Sequence, residues 1–202
     1  MCSDQLIPNS TDVVALVGSR LCHDLISPLG AIGNGVELLT MSGTEMSPEL
    51  QLIAQSVASA NARLKFFRVA FGQAAVDQRL GRPEIVAVLA GLAKGGRLDF
   101  DWQAEGDQAR RDVKLCFLGV LCLEAALPWG GLVTICSTGG NWRLTAEARK
   151  TKPDPALWQR LDGGEGPIGP AQVQFALLPA EAAQQRRQIA WEVGETSAQI
   201  TF

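Results

Sequence analysis

Leu50, Ile53, Val57, Ala60, Leu64, Phe67 and Phe71 follow one another at alternating steps of three and four. That spacing is a heptad seam, and it constrains the chain more than any other pattern in it. A helix is expected from about Pro48 to Gln73, with Ser47 as its cap and Pro48 at the first helical position, where a missing N–H costs little. Ahead of it, from Thr11 to about Ser42, Val14, Leu21, Leu25, Ile32 and Leu39 recur at sums of three and four, widened by Val17, Leu29 and Val36. Thr11 or Asp12 is the expected cap of this first helix. "SGTEMSPE" makes the turn between them, so the pair is expected as an antiparallel hairpin. A lone hairpin leaves much of its apolar stripe in water. Two hairpins paired in a four-helix bundle cover it, and a homodimer is expected.

After "GRPE" the pattern changes, which divides the chain into residues 1–80 and 81–202. Glu84 to Lys94 reads as a short helix stopped by Gly95 and Gly96, and "RLDFDWQA" alternates like a strand. Asp112 to Leu127 reads as a strongly apolar helix closed by "PWGG". "LVTICST" and "NWRLTAEA" form a hairpin around Gly139 and Gly140. Pro155 to Leu161 and Ala171 to Gln185 are further expected helices, and "IAWEV" with "SAQITF" a closing hairpin across Gly194. The second unit is thus expected as α+β, helices on one face of a sheet.

The chain has five cysteines (Cys2, Cys22, Cys116, Cys122, Cys136), no CxxC pair and a single histidine, so a zinc site is not expected and the thiols read as buried or reduced. A hydrophobic fraction of 47% argues against disorder, and a net charge of -3 with 19% charged residues leaves no nucleic-acid footprint. The start lacks a basic segment followed by an apolar run, and no later apolar run suits a bilayer; a cytoplasmic protein is expected.

The lone histidine, His23, stands in "LCHDLISPLG". At about 100° per residue it lies roughly 200° from Leu21 and Leu25, away from the apolar stripe. Ser19, Arg20, Ser27, Gly30 and Asn34 fall within about 60° of it, a strip of small, polar or basic residues that another protein can approach closely. Pro28 removes a helical donor and is expected to bend the next turn. Gly30, Gly33 and Gly35 cost the helix about 1 kcal/mol each relative to Ala. An exposed imidazole beside a carboxylate, Asp24, suits nucleophilic phosphoryl transfer, one ring nitrogen attacking phosphorus while Asp24 holds the proton on the other or takes it from the attacking one.

The run His23-Asp24-Leu25-Ile26-Ser27-Pro28-Leu29-Gly30-Ala31-Ile32 resembles the phospho-accepting box of dimerising histidine kinases. "SRLCHDLISPLGAIGNGVELL" resembles, more narrowly, the ChpT-type histidine phosphotransferases of alphaproteobacteria. "RLKFFRVAFGQA" and "LEAALPWGGLVTI" extend the likeness. The resemblance implies a dimeric four-helix bundle followed by a degenerate ATPase-like domain that does not use ATP. It also implies relay of phosphoryl groups from the receiver domain of a hybrid sensor kinase to the receivers of response regulators. His23 is then the phosphorylated residue, Asp24 its acid/base partner, and the strip around them the receiver contact. No cofactor is expected on this chain; the Mg²⁺ belongs to the receiver's acidic pocket.

Two other readings stay open at this point. A divergent ATP-dependent histidine kinase is favoured by "DGGEG" at 162–166, which matches an adenine-binding box. Yet "DPALWQRL" before it reads as a helix with Gly163 as its stop, and "GVLCLEAAL" has no Asn for a metal, only Cys122 and Glu124 near that place. Glu124 reads as a metal substitute or, more simply, as a solvated acid. A non-catalytic adaptor that only docks receivers is the third reading. Arg63, Lys65 and Arg68 on the second helix either attract the receiver's acidic pocket or form a solvated basic face.

Overall fold

The computed structural model describes residues 10–43 and 45–202. Thirteen regular helices and strands of two residues or more fill them. α1 (Ser10–Met41) and α2 (Pro48–Ala70) form the hairpin, and α1 runs through Pro28 without interruption. β1 (Arg79–Leu80) pairs with β3 (Gln108–Ala109) in a small ribbon that flanks α3 (Arg82–Lys94) and β2 (Leu98–Trp102). Then come α4 (Arg110–Ala126), β4 (Gly131–Thr138), β5 (Asn141–Glu147), α5 (Pro155–Gln159), α6 (Gln174–Gln184), β6 (Ala190–Val193) and β7 (Ser197–Thr201). The main sheet has the order β2-β4-β5-β7-β6; β2 and β4 are parallel, the rest antiparallel. Helices cover one of its faces, and the expected elements are observed within a few residues of their expected bounds, while the β1–β3 ribbon and the parallel pairing of β2 with β4 are additions that the sequence pattern does not announce. The capping expectation for Thr11 and Asp12 lies outside the described side chains, as does Cys2.

Ser47 caps α2 as expected: its Oγ accepts the Leu50 N–H at 3.3 Å and Pro48 follows at the first helical position. Ser47→Ala is expected to cost about 1 kcal/mol, read as a lower urea midpoint with an unchanged slope.

The hairpin packs differently from its sequence pattern. The face of α1 that meets α2 is rich in small residues: Ala15 and Cys22 are buried, Gly33 lies against Val57, and Gly18 against Phe71, while of the expected larger residues only Val36 is buried and Leu29 half-buried. The larger stripe is left in water, with Leu21 57% and Leu25 48% exposed and Val14, Val17, Ile32 and Leu39 in the same state. Two helices approach closest where their side chains are small, so the large residues are displaced to the neighbouring face. In α2, Val57 is buried, Leu50, Ala60, Leu64, Phe67 and Phe71 are half-buried and Ile53 is exposed. The deepest residues of α2 lie off the seam. Phe66, Val69 and Ala70 point away from α1 into the core of the rest of the chain.

α4 is the centre of that core and is buried on every face. Phe117 stacks on Phe66 of α2 with ring centroids 4.5 Å apart. A Cβ on Gly119 would stand 2.8 Å from Leu144 Cδ2 of the sheet, so a larger residue there would displace the Leu144 side chain. Lys114 reaches Glu181 of α6 at 2.7 Å, both buried, and Gln185 Nε2 donates to the same carboxylate at 3.1 Å. A buried charge needs such partners to be tolerated.

Candidate functional site

His23 lies midway along α1 and is 84% exposed, so no enclosed pocket surrounds it and any reacting partner comes from outside the chain. Its Nδ1 stands 3.0 Å from Asp24 Oδ1. The other carboxylate oxygen of Asp24, Oδ2, accepts from Arg20 Nε at 2.7 Å, one helical turn back. The hydrogen bond from His23, followed by the bond and charge of Arg20, holds the Asp24 carboxyl below its ordinary value. An ionised carboxylate only accepts. In the neutral imidazole, therefore, Nδ1 carries the proton and Nε2 presents its lone pair to solvent.

The sign of the Asp24 shift fixes its pH behaviour. A depressed carboxyl value means that the triad's contact is complete above the ordinary carboxyl range and is lost as the pH falls through the lowered value. Arg20→Ala is expected to raise the Asp24 midpoint in a ¹³C carboxyl titration, without removing the larger contribution from His23.

The other residues expected around His23 divide into two groups. Arg20, Ser27 and Asn34 are exposed along with it. Gly30 is half-buried, but a Cβ built there meets nothing within 4 Å, and the same holds for Gly35, whereas Gly33 is small because Val57 lies 3.5 Å away. The two open glycines thus have no packing reason within this chain. Ser19 differs: it is half-buried, and its Oγ accepts the Gln73 N–H at 2.9 Å, so its hydroxyl belongs to the junction at the end of α2 rather than to the open strip.

The basic residues of α2 are likewise not one solvated face. Arg63 Nη2 lies 3.3 Å from Glu124 Oε1 and its guanidinium 5.7 Å from the Phe67 ring centroid. Arg68 stands 4.0 Å from Glu84, and Lys65 is exposed. Glu124, expected as solvated or as a metal substitute, is only 17% exposed and pairs with Arg97 at 3.8 Å as well as with Arg63. It joins α2 to α4. Asp162 of "DGGEG" accepts the Trp191 indole N–H at 3.0 Å, and Gly163, at φ +87°, ends the short helical turn as the pattern implied. Cys22, Cys116 and Cys122 are buried and Cys136 half-buried, all free thiols. Among the described residues, no group of three His, Cys, Asp or Glu is placed to hold a metal ion, and no helix is long and apolar enough to cross a membrane.

Comparison with known proteins gives three concordant findings. A family model described as the histidine phosphotransferase C-terminal domain matches residues 82–197. The protein phosphotransferase ChpT of Brucella abortus (strain 2308) is 32% identical over 185 residues, covering 87% of this chain and 88% of that protein. The solved structure of a bacterial phosphotransferase is 27% identical and superposes with a TM-score of 0.68 over 98% of this chain and 99% of its own.

Proposed function

Since the chain belongs to the ChpT-type histidine phosphotransferases, we propose that it relays a phosphoryl group through His23, from the receiver aspartate of a hybrid sensor kinase to the receivers of response regulators. The observation that carries this reading is the His23–Asp24–Arg20 arrangement on an open helix face. His23 Nε2 attacks phosphorus of the receiver's acyl phosphate. The P–O bond to the receiver aspartate breaks, and that carboxylate leaves with its electron pair. Positive charge developing on the imidazole is stabilised by Asp24 across the Nδ1–H bond. The return step runs the same path toward a second receiver aspartate. Mg²⁺ held in the receiver's pocket neutralises the phosphoryl oxygens, and this chain needs no ion of its own.

Receiver contact falls on Arg20, Ser27, Gly30 and Asn34. Gly30 supports it, because it destabilises α1 without an internal packing reason and leaves room for a neighbouring backbone. The exposed stripe of Leu21, Leu25, Ile32 and Leu39 is the homodimer face, continued on α2 by Ile53. Residues 1–80 then carry phosphotransfer and dimerisation, and residues 81–202 form the degenerate ATPase-like part of a cytoplasmic protein. ATP has no part in this reading, which is supported by the contacts of the Asp162 carboxylate with Trp191 and of Glu124 with Arg63 and Arg97.

The test mixes the protein, without ATP, with a receiver domain phosphorylated on its aspartate. An acid-labile, base-stable label on this chain is the expected result. Labelling by ATP alone would establish the kinase reading instead, and receiver binding with no label the adaptor reading.

A further inference from the structure

Three elements meet at Gln73. Its backbone N–H donates to Ser19 Oγ of α1 at 2.9 Å, and its carbonyl accepts from Arg110 Nε of α4 at the same distance. Arg110 Nη2 also donates to the Arg68 carbonyl at 2.8 Å, so one guanidinium satisfies carbonyls at the end of α2 and in the segment that follows it. Arg110 is 6% exposed, which makes its two backbone acceptors the compensation for removing its charge from water. The surroundings are tight. A Cβ on Gly72 would collide with the Arg68 carbonyl and stand 3.2 Å from Ser19 Oγ, and one on Gly18 would stand 3.0 Å from the Phe71 carbonyl oxygen.

Ser19 is four residues, one helical turn, before His23. The N–H and C=O of a single residue thus tie the nucleophile's helix to the first turn of α4. Arg63 on Glu124 forms a second tie between α2 and the same helix, nearer its C-terminal end, and Arg97, just before β2, pairs with the same carboxylate. A domain that had to swing toward His23 would have no use for such a mounting.

We propose that Ser19 and Arg110 are positioning residues: through the two ends of Gln73 they hold residues 81–202 at one fixed angle to the His23 strip, so that a docking receiver meets a preset surface built from both parts. The inference rests on the relay reading above, and neither residue touches the reacting atoms. Ordering the surface before the partner arrives lowers the cost of docking, and it acts on receiver affinity rather than on the chemistry at Nε2.

The experiment compares wild type, Ser19→Ala and Arg110→Lys as full-length protein. Three quantities are read: hydrogen exchange at the Gln73 amide, the receiver-concentration dependence of phosphoryl transfer, and direct phosphorylation of His23 by phosphoramidate, a small donor that needs no docking. In Ser19→Ala the Gln73 amide is expected to exchange faster. The receiver concentration for half-maximal transfer rises about tenfold, the scale of the cost of ordering one or two interface side chains only on docking. The plateau rate and phosphoramidate labelling stay at wild-type values. Arg110→Lys moves in the same direction, since a single ammonium cannot serve both carbonyls in the fork geometry. Wild-type transfer with unchanged concentration dependence in Ser19→Ala, despite faster Gln73 exchange, overturns the positioning role alone. A wild type that phosphoramidate labels but no phosphorylated receiver does overturns the relay, and the positioning role with it.

Discussion

His23→Gln protein is expected to take no phosphoryl group from a phosphorylated receiver, a loss of about 10³-fold or more, while its fold and receiver binding persist. The size of the effect follows from the absence of any substitute: His23 is the only histidine in the chain, and an amide has no lone pair of comparable nucleophilicity. The persistence of the fold follows from exposure. Only the contact with Asp24 anchors the side chain, and glutamine can donate to that carboxylate too. Transfer of radiolabel from the receiver, with acid and base treatment of the product, measures it. Label on the variant, which has no histidine left, would place the nucleophile on another residue and end the proposal. Asp24→Asn is the milder companion, because the imidazolium loses its partner while Nε2 remains.

The second large effect concerns the apolar stripe. Leu25→Asp is expected to turn a dimer into a monomer in sedimentation equilibrium at micromolar concentration. Leu21, Leu25, Ile32 and Leu39 are each about half exposed, on one line along α1. Burying the exposed half of such a side chain contributes roughly 1 kcal/mol. A carboxylate at the middle of the stripe removes one such contribution and adds the cost of a charge facing its own symmetry mate. The strip carrying His23 lies on the far side of the helix from Leu21 and Leu25, so the monomer is expected to keep its phosphoramidate labelling. A wild type already monomeric at that concentration would refute the dimer, and leave the stripe in need of another partner.

Most of the secondary structure was legible because each segment carries its own punctuation. Ser47-Pro48 opens α2, Gly95 and Gly96 follow α3, and Gly139-Gly140 turns β4 into β5 with both glycines at positive φ. The His23–Asp24 pair was legible because the two residues are adjacent, whereas Arg20, read as a receiver contact, is also paired with Asp24 one turn on. What periodicity does not disclose is which of two adjacent apolar faces another helix will choose. On α1 the small face won, because Gly18 and Gly33 let α2 approach, and residue size alone points to the other. Contacts across long sequence separations were beyond reach for the same reason. Arg63 meets Glu124 only because α2 lies beside α4, and Phe66, one residue before a seam position, reads as noise until Phe117 is seen stacked on it. The hydrogen bond of Ser19 is of the same kind: its angle places it on the histidine strip, and only the position of Gln73 shows where its hydroxyl turns.

The stacking of Phe66 on Phe117 also bears on how this protein can change through evolution and engineering. Sequence pattern breaks near residue 80, but the apolar core does not: Phe66, Val69 and Ala70 are sealed inside it together with α4 and the sheet. A segment ending at 80 carries those side chains into solvent, and a segment starting at 81 leaves an open socket beside Phe117. The two parts are therefore not interchangeable modules. Transplanting the hairpin onto a foreign domain would require the recipient to present a matching socket for Phe66, Val69 and Ala70.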